Sequence, residues 1–238
     1  MSHPATIAWF AVTPSLSRRF HEVDRPALAL VQAETDDTFE LSCVAPPTAE
    51  GLERSLRFAV ALAGLDQDWS IDAGAINCHI PELRFASDVG IAPCFALGRE
   101  TTRGTPWACA GDMLTAVALL TTKLLGAAAV YHELEAIDYE ADEVVIANTG
   151  EHDLAWADPQ VRPVLRSNGW FSSDVVCGAC ACFSPPAGPA TLVAFVPHHP
   201  QETSGFRYIT AEGEFGERTF PLSGTINASF RFRGRTSI

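Results

Sequence analysis

The segment CAGDMLTAVALLTTKLLG, Cys109 to Gly126, decides the fold of this chain. Asp112 stands directly before an apolar run, and a carboxylate at that position is a preferred helix N-cap. Gly126 ends the run, as glycine does after many helices. The sequence therefore predicts a helix between these two residues. Apolar residues occur on every side of it, so we expect a sheet or another subunit to cover it.

After Gly126 the pattern changes to short apolar segments that are separated by turns. Six such segments predict an antiparallel sheet or barrel. They are Ala128 to Ile137, Glu143 to Ala147, Gly178 to Phe183, Thr191 to Val196, Phe206 to Glu212 and Ile226 to Phe232. We therefore expect an α/β domain over residues 1–127, followed by a mostly antiparallel β-barrel domain over residues 128–238.

Before Cys109 the pattern is mixed. Thr48 is a plausible cap for a helix that ends near Gly64, because apolar residues recur after it at helical spacing. The apolar segments Ala73 to Ile80 and Val89 to Leu97 predict two buried strands. The first fifty residues alternate apolar segments such as TIAWFAV, ALALVQAE and FELSCVA with prolines, and this alternation favours short strands and a turn of helix.

Composition narrows the possible partners. The chain has 238 residues, of which 47% are hydrophobic, and a formal net charge of -13. Such a chain is ordered and repels phosphate backbones and anionic lipid, so nucleic acid and membrane surfaces are not expected partners. The N-terminus lacks the charge order of a secretory signal, and the odd set of seven cysteines suits reduced thiols. We expect a cytoplasmic protein.

Acidic residues gather around the predicted helix and the strands that follow it. Asp112 begins the helix, Glu133 and Glu135 share a face of the first strand, and the second strand leads to Asn148, Glu151, His152 and Asp153. Two carboxylates about 4 Å apart repel by roughly 4 kcal/mol at an effective dielectric of about 20, and a divalent cation would relieve that repulsion. The alternative is structural: Asp112 caps its helix, and Glu135 lies on a solvated strand face.

The segments VGIAPCFALGRETTRGTPWACAGDMLTAVALLTTKLLG and AVYHELEAIDYEADEVVIANTGEHDLAW carry a resemblance to a known family. The residues of these segments and the order of the segments resemble the C-terminal two domains of the L-fucose and L-arabinose isomerase family, over roughly residues 52 to 232. The resemblance implies an aldose–ketose isomerase with a catalytic Mn²⁺. The metal would hold two neighbouring sugar oxygens while one carboxylate removes the proton between them and a second group returns it.

Residue by residue, the resemblance assigns roles to four positions. Glu133 would be a metal ligand and the base, and Asp112 a second acid or a group behind it. Asn148 and His152 would contact sugar hydroxyls. Ala110 and Asn148 replace a glutamate and a histidine that the family uses as ligands. Family chains also extend beyond both ends of the matched region, which predicts that this chain is a fragment, works beside a partner or uses the scaffold for another purpose.

Two other hypotheses stay open. The first is a structural or regulatory subunit that associates with itself or with a full-length isomerase, through the helix Met113 to Leu125. The second is a zinc site made by Cys177, Cys180 and Cys182 with His198 or His199, which have a suitable CxxC spacing. Against zinc, Cys180 and Cys182 share one face of a predicted strand, where small apolar side chains pack well. No glycine loop for phosphate and no GxSxG nucleophile motif is present in the sequence.

Overall fold

The computed structural model describes residues 12–41, 45–84, 89–148, 151–168, 178–183, 185–198, 205–216 and 226–233. Six helices lie in its first half: α1 (Val12–Glu22), α2 (Arg25–Thr38), α3 (Ala49–Trp69), α4 (Pro81–Arg84), α5 (Cys94–Arg103) and α6 (Met113–Leu124). Two short strands, β1 (Gly74–Ala75) and β2 (Trp107–Ala108), pair in parallel between them. The second half holds seven strands and one turn of 3₁₀ helix, Leu154–Trp156.

The prediction for the first fifty residues is wrong where the structure describes them. ALALVQAE lies inside α2, not in a strand. Asp24 caps this helix by accepting a hydrogen bond from the Ala27 amide, and Pro26 occupies the first turn, where a proline costs no hydrogen bond. The apolar segment at residues 6–12 falls almost entirely outside the described residues.

The cap at Thr48 is confirmed, because its hydroxyl accepts a hydrogen bond from the Gly51 amide at 3.0 Å. The helix that it begins, α3, does not stop near Gly64 but continues to Trp69. Ser70 then takes a left-handed conformation and ends it. The predicted strand over Val89 to Leu97 is also wrong, because residues 89–93 form no strand and Cys94 begins α5.

Helix α6 is confirmed at both ends. The Asp112 carboxylate accepts a hydrogen bond from the Thr115 amide at 3.0 Å, and Gly126 follows the last turn with a φ of 79°. The helix packs against β7, β1 and β2. In the described part of the chain, no helix combines the length and the apolar character that crossing a bilayer requires.

The strands of the second half form a mixed α/β fold with the helices. They are β3 (Glu133–Asp138), β4 (Glu143–Asn148), β5 (Val164–Ser167), β6 (Ala179–Cys182), β7 (Gly188–Pro197), β8 (Phe206–Phe215) and β9 (Ile226–Phe232). Five of them make an antiparallel sheet in the order β3-β4-β9-β8-β7, and β5 pairs with β6. All six predicted segments contain a strand. Closure of the sheet into a barrel stays a prediction.

The largest hydrophobic core extends across the predicted domain boundary. Its helical part includes Phe58, Leu62 and Leu97, which are buried in α3 and α5. Residues beyond 127 complete it, namely Ala129, Tyr131, Leu165, Ala179 and Ala181. The five-stranded sheet has a smaller core of its own, made by Val144, Ile146, Phe215 and Phe230.

Candidate functional site

The turn before α6 brings Asp112 to one end of the parallel pair of strands. The Gly111 amide donates a hydrogen bond to the Ile76 carbonyl at 3.0 Å. Ala110 and Gly111 both have positive φ angles, 53° and 73°. Both carboxylate oxygens of Asp112 bind Thr115, one through its amide and the other through its hydroxyl at 2.6 Å. The structural role that the sequence allowed for Asp112 is therefore present.

Glu151 is the most deeply buried carboxyl group near this turn. It follows β4 and is 2% exposed. Its carboxylate accepts hydrogen bonds from the Asn148 side chain and the Cys109 thiol, while Oε2 has no partner among the described residues. Burial raises the pKa of this carboxyl to about 7, and the charge of Glu133 also raises it. Glu151 therefore changes its protonation state near neutral pH.

Tyr131 connects Glu151 with the predicted site residues. Burial raises the pKa of its hydroxyl well above the ordinary value, and the charges of Glu133, Asp112 and Glu151 raise it further. A phenol in this environment stays protonated and remains a hydrogen-bond donor at all ordinary pH values. The charges of Asp112 and Glu133 thus act on the Tyr131 hydroxyl, and the Asn148 side chain binds Glu151.

Glu133 lies on the solvent-exposed side of the residues around Tyr131 and Glu151. It begins β3, pairs with Ala147 of β4 and is exposed to solvent, like the four residues after it. A register shift between Leu134 and Ala136 interrupts the regular alternation of β3. Glu133 and Glu135 therefore do not share a regular strand face as the sequence suggested.

His152 lies in a different environment from its neighbour Glu151. It is fully buried, and its backbone forms an antiparallel bridge with Val130. Its ring contacts Phe183 edge-on and lies 6.2 Å from the ring of His132, and both ring nitrogens of His152 lack hydrogen-bond partners of ordinary geometry. Burial lowers the pKa of His152 well below its usual value, and the nearby His132 lowers it further.

His152 also lines a small cavity of about 50 Å³ together with Phe95, Leu154 and Ala181. Successive residues of an extended chain point to opposite sides, which explains why Glu151 and His152 face different surroundings. Because His152 and Glu151 face different surroundings, the geometry around Glu151 does not support a contact between His152 and a sugar. That contact stays a prediction.

The described side chains do not by themselves make a Mn²⁺ site. Within the described ranges, no group of three or more His, Cys, Asp or Glu side chains is arranged to hold a metal ion. Both oxygens of Asp112 are already hydrogen-bonded, and Ala110 offers no ligand atom. Mn²⁺ and the ligand role of Glu133 therefore stay predictions.

The described residues do not support the zinc hypothesis. Cys177 and His199 lie outside the described residues. Cys180 and Cys182 lie on β6, buried, with their sulfurs 3.9 Å apart, and pack with Ala92 and Cys94. Packing of these two cysteines on one strand face, the simpler interpretation, agrees with the structure.

No protein-family model and no curated protein matches this chain. The resemblance to sugar isomerases therefore stays a prediction from the sequence. The class that the structure defines is broader: a mixed α/β protein in which a buried carboxyl and a tyrosine lie between a helix N-terminus and an antiparallel sheet.

Two residues of this group received no role from the sequence. Glu151 was one of several buried polar residues after β4, and its unpartnered Oε2 distinguishes it from the hydrogen-bonded carboxylate of Asp153. Tyr131 belongs to the motif that precedes Glu133, but its burial depends on contacts that are distant in the chain. Asp153 was in the same cluster and is structural, because it accepts hydrogen bonds from Lys123 and from the Ala129 amide.

Proposed function

We propose that this chain is a carbohydrate- or polyol-binding protein of the sugar isomerase type, with Glu151 as its proton-transfer group. The observation that carries the proposal is the Glu151 carboxyl, which is buried, has an unpartnered oxygen and has a pKa raised to about 7 by burial. A carboxyl that is half ionised near neutral pH can both accept and return a proton.

The chemistry requires this property. Aldose–ketose interconversion moves a proton between adjacent carbons of an open-chain sugar and passes through an enediol. In the proposal, ionised Glu151 removes the proton from one carbon and returns it to the next. Tyr131 donates a hydrogen bond to the sugar carbonyl oxygen, where negative charge develops. Asn148 holds Glu151 in place, and Glu133 meets the hydroxyls from the solvent side.

The resemblance adds finer elements that belong to the same proposal. These are a closed barrel for the second half of the chain, and Mn²⁺ with Glu133 as its ligand. Bound Mn²⁺ would polarise the sugar oxygens. Asp112 would support the residues that contact the sugar, because both of its carboxylate oxygens already bind Thr115.

The first experiment measures binding. Isothermal titration with L-fucose, L-arabinose and the corresponding alditols is compared for the native chain and for Glu151→Gln and Tyr131→Phe. Glutamine matches the neutral form of Glu151, so the fold is retained while proton transfer is lost. We expect Tyr131→Phe to weaken binding at least tenfold, because it loses the hydrogen bond to the sugar, and Glu151→Gln to keep binding and to remove any isomerase activity. Glu135→Gln, on the exposed part of β3, is the matched control. Unchanged binding in Tyr131→Phe, or equal isomerase activity in Glu151→Gln and the native chain, would reject the proposal.

The second experiment tests the metal. Ala110→Glu restores a carboxylate at the position where the family has one, on an exposed turn that already has a positive φ. We expect this variant to bind Mn²⁺ at least tenfold more tightly than the native chain, and Glu133→Gln in the same background to remove the gain. Equal Mn²⁺ affinity in all three proteins would exclude a family-like metal site here.

Exposed apolar side chains favour a second candidate function, a non-catalytic subunit that associates with itself or with a related isomerase. Leu124 and Leu125 at the end of α6 are 79% and 81% exposed. The hairpin β7–β8 also exposes Phe206, Tyr208 and Ile209. Light scattering after size-exclusion chromatography tests this. We expect an oligomer whose mass falls in Leu124→Lys/Leu125→Lys, and a native monomer would count against self-association.

A further inference from the structure

Five buried cysteines lie close to one another beneath the candidate site. Two of them, Cys78 and Cys109, belong to the largest core, and Cys94 packs with Cys180 and Cys182 in a smaller cluster. The sulfurs of Cys78 and Cys109 are 3.0 Å apart. The proposed function assigns these two thiols no covalent chemistry.

The backbone holds Cys78 and Cys109 together. Strands β1 and β2 pair in parallel, and the Ile76 amide donates to the Ala108 carbonyl at 3.0 Å. The Gly111 amide returns a bond to the Ile76 carbonyl, so both cysteines lie where this short ladder ends. A disulfide bond is about 2.05 Å long, so the two sulfurs would have to approach by only about 1 Å.

We propose that Cys78 and Cys109 are an oxidisable pair that hydrogen peroxide converts to a disulfide within the folded protein. In the first step the thiolate sulfur of Cys109 attacks a peroxide oxygen, the O–O bond breaks, and Cys109 becomes a sulfenic acid as water leaves. In the second step the sulfur of Cys78 attacks the Cys109 sulfur. The S–S bond forms, the S–O bond breaks, and a second water leaves. Two thiols are oxidised and one peroxide is reduced.

Exposure indicates which thiol reacts first. Cys109 is 7% exposed, Cys78 is 2% exposed and Cys94 is fully buried. Only a small, uncharged oxidant can reach such positions, which is why we name hydrogen peroxide and not a protein disulfide.

The geometry also indicates which partner resolves the sulfenic acid. The Cys94 sulfur accepts a hydrogen bond from the Asn168 side chain at 3.2 Å, and this bond competes with its contact to Cys109. The Cys78 sulfur lies 3.0 Å from that of Cys109, which favours Cys78 as the resolving thiol.

Burial makes the reaction slow. The hydrogen bond with Cys109, and then burial, raise the pKa of the Cys78 thiol well above its usual value. The contact with Cys94 and burial together raise the pKa of Cys109, although the contact with Cys78 opposes them. The thiolate fraction is therefore small, and the pair responds to sustained exposure to peroxide and not to brief pulses.

Cys180 and Cys182 form an internal control. They are as buried as the first pair, but they lie two residues apart on β6, with sulfurs 3.9 Å apart. Residues at that spacing in a strand have Cα atoms about 6.7 Å apart, near the upper limit for a disulfide. We therefore expect no bond between them under conditions that link Cys78 and Cys109.

The test is peptide mapping of the full chain. The reduced protein is treated with graded hydrogen peroxide, blocked with N-ethylmaleimide in denaturant, digested without reductant and analysed by mass spectrometry. We expect the Cys78–Cys109 linked peptide to exceed any Cys94–Cys109 or Cys180–Cys182 linkage at least fivefold. Cys78→Ser should abolish the linked peptide and leave Cys109 as a sulfinic acid, whereas Cys182→Ser should leave the linkage unchanged.

Three results would overturn the proposal: no Cys78–Cys109 peptide, equal linkage of Cys109 to Cys94, or a linkage that forms only when the chain is first unfolded in urea. The readout is a covalent bond and needs no sugar or metal, so its failure is distinguishable from failure of the proposed function. Formation of the bond would also remove the thiol proton that Cys109 donates to Glu151.

Discussion

At the scale of single residues, Asp66 makes stability depend on pH. It is buried in α3 and accepts a hydrogen bond from the Trp107 indole at 3.1 Å, while its Oδ1 has no partner among the described residues. Burial raises the pKa of Asp66 from 3.8 to about 7, although the Trp107 bond opposes the shift. The folded state therefore holds a proton that the unfolded state has already lost between these values. The contribution of Asp66 to stability is therefore greatest below pH 4 and is lost as the pH rises through 7.

Asp66→Asn removes this penalty and keeps an acceptor for Trp107. The free energy of unfolding of the variant is compared with that of the native chain at pH 5 and at pH 8. We expect this difference to favour the variant by about 1–2 kcal/mol more at pH 8 than at pH 5. Urea denaturation at both pH values measures it. The Glu151 carboxyl titrates in the same window in both proteins, so the difference between them isolates Asp66. An equal effect at the two pH values would contradict the expectation.

The ion pair between Lys123 and Asp153 is a second feature of single residues. Its atoms are 2.7 Å apart, Asp153 is fully buried, and the same carboxylate accepts from the Ala129 amide. Without the Lys123 ammonium, the buried Asp153 carboxylate keeps hydrogen bonds from backbone amides but has no positive partner. We expect Lys123→Met to lose about 2–3 kcal/mol in urea denaturation.

The exposed pair between Arg233 and Glu214 is the control for that measurement, because both side chains are about half exposed. Arg233→Met should cost less than about 1 kcal/mol. Similar losses in the two variants would mean that the buried pair has no special weight.

At the scale of elements, we expect alanine substitutions at two glycines to have opposite effects on stability. Gly64 lies inside α3, where a Cβ would meet the guanidinium of Arg19 at 3.3 Å, which is the far end of a long side chain that pairs with Asp68. In β8, a Cβ on Gly213 would lie 2.4 Å from the Arg231 carbonyl oxygen and 2.4 Å from the Phe230 ring. We expect Gly64→Ala to gain about 0.5–1 kcal/mol and Gly213→Ala to lose about 2 kcal/mol or more. Thermal unfolding of both variants measures the difference, and a shift of the same sign in both would refute this account.

Elements with strong local signals could be predicted from the sequence. The caps Thr48 and Asp112 depend on neighbouring residues alone, and the strands after Gly126 alternate and are separated by turns. The errors occurred at short apolar segments, which fit a buried strand or a buried helix equally well. ALALVQAE is helical because Asp24 caps the helix and Pro26 fits its first turn, and CFAL begins α5 directly after Pro93.

The candidate site was less predictable than the fold. Sequence reasoning named Asp112, Glu133 and Asn148 as site residues, and their site roles stay predictions. It gave no role to Glu151, because burial of a carboxyl is decided by tertiary packing and not by neighbours in the chain. It also gave no sign that Cys78 and Cys109, 31 residues apart, would touch.

At the scale of the whole molecule, the largest core joins the two predicted domains. Leu165 of β5 is fully buried in the same cluster as Phe58 and Leu62 of α3. We expect Leu165→Ala to cost about 2–4 kcal/mol and to destabilise the helical half as well as the strands. Far-UV circular dichroism and tryptophan fluorescence should then report one transition at a lower midpoint. Val161→Ala, at an exposed position nearby, is the control, and two separate transitions would show independent domains.

Helix α6 has contacts of different kinds at its two ends. Its first turn holds Asp112 beside Tyr131, and its last turn binds Asp153 through Lys123 and the Tyr208 hydroxyl through Thr121 at 2.6 Å. These ends are about 18 Å apart, and the helix between them is a stiff rod. Under the proposed function, the anchoring of its C-terminal turn sets the angle at which its N-terminal turn would meet a sugar. Random mutagenesis screened for altered sugar preference should accordingly return substitutions at Thr121 and Tyr208, at the opposite end of the helix from the proposed site.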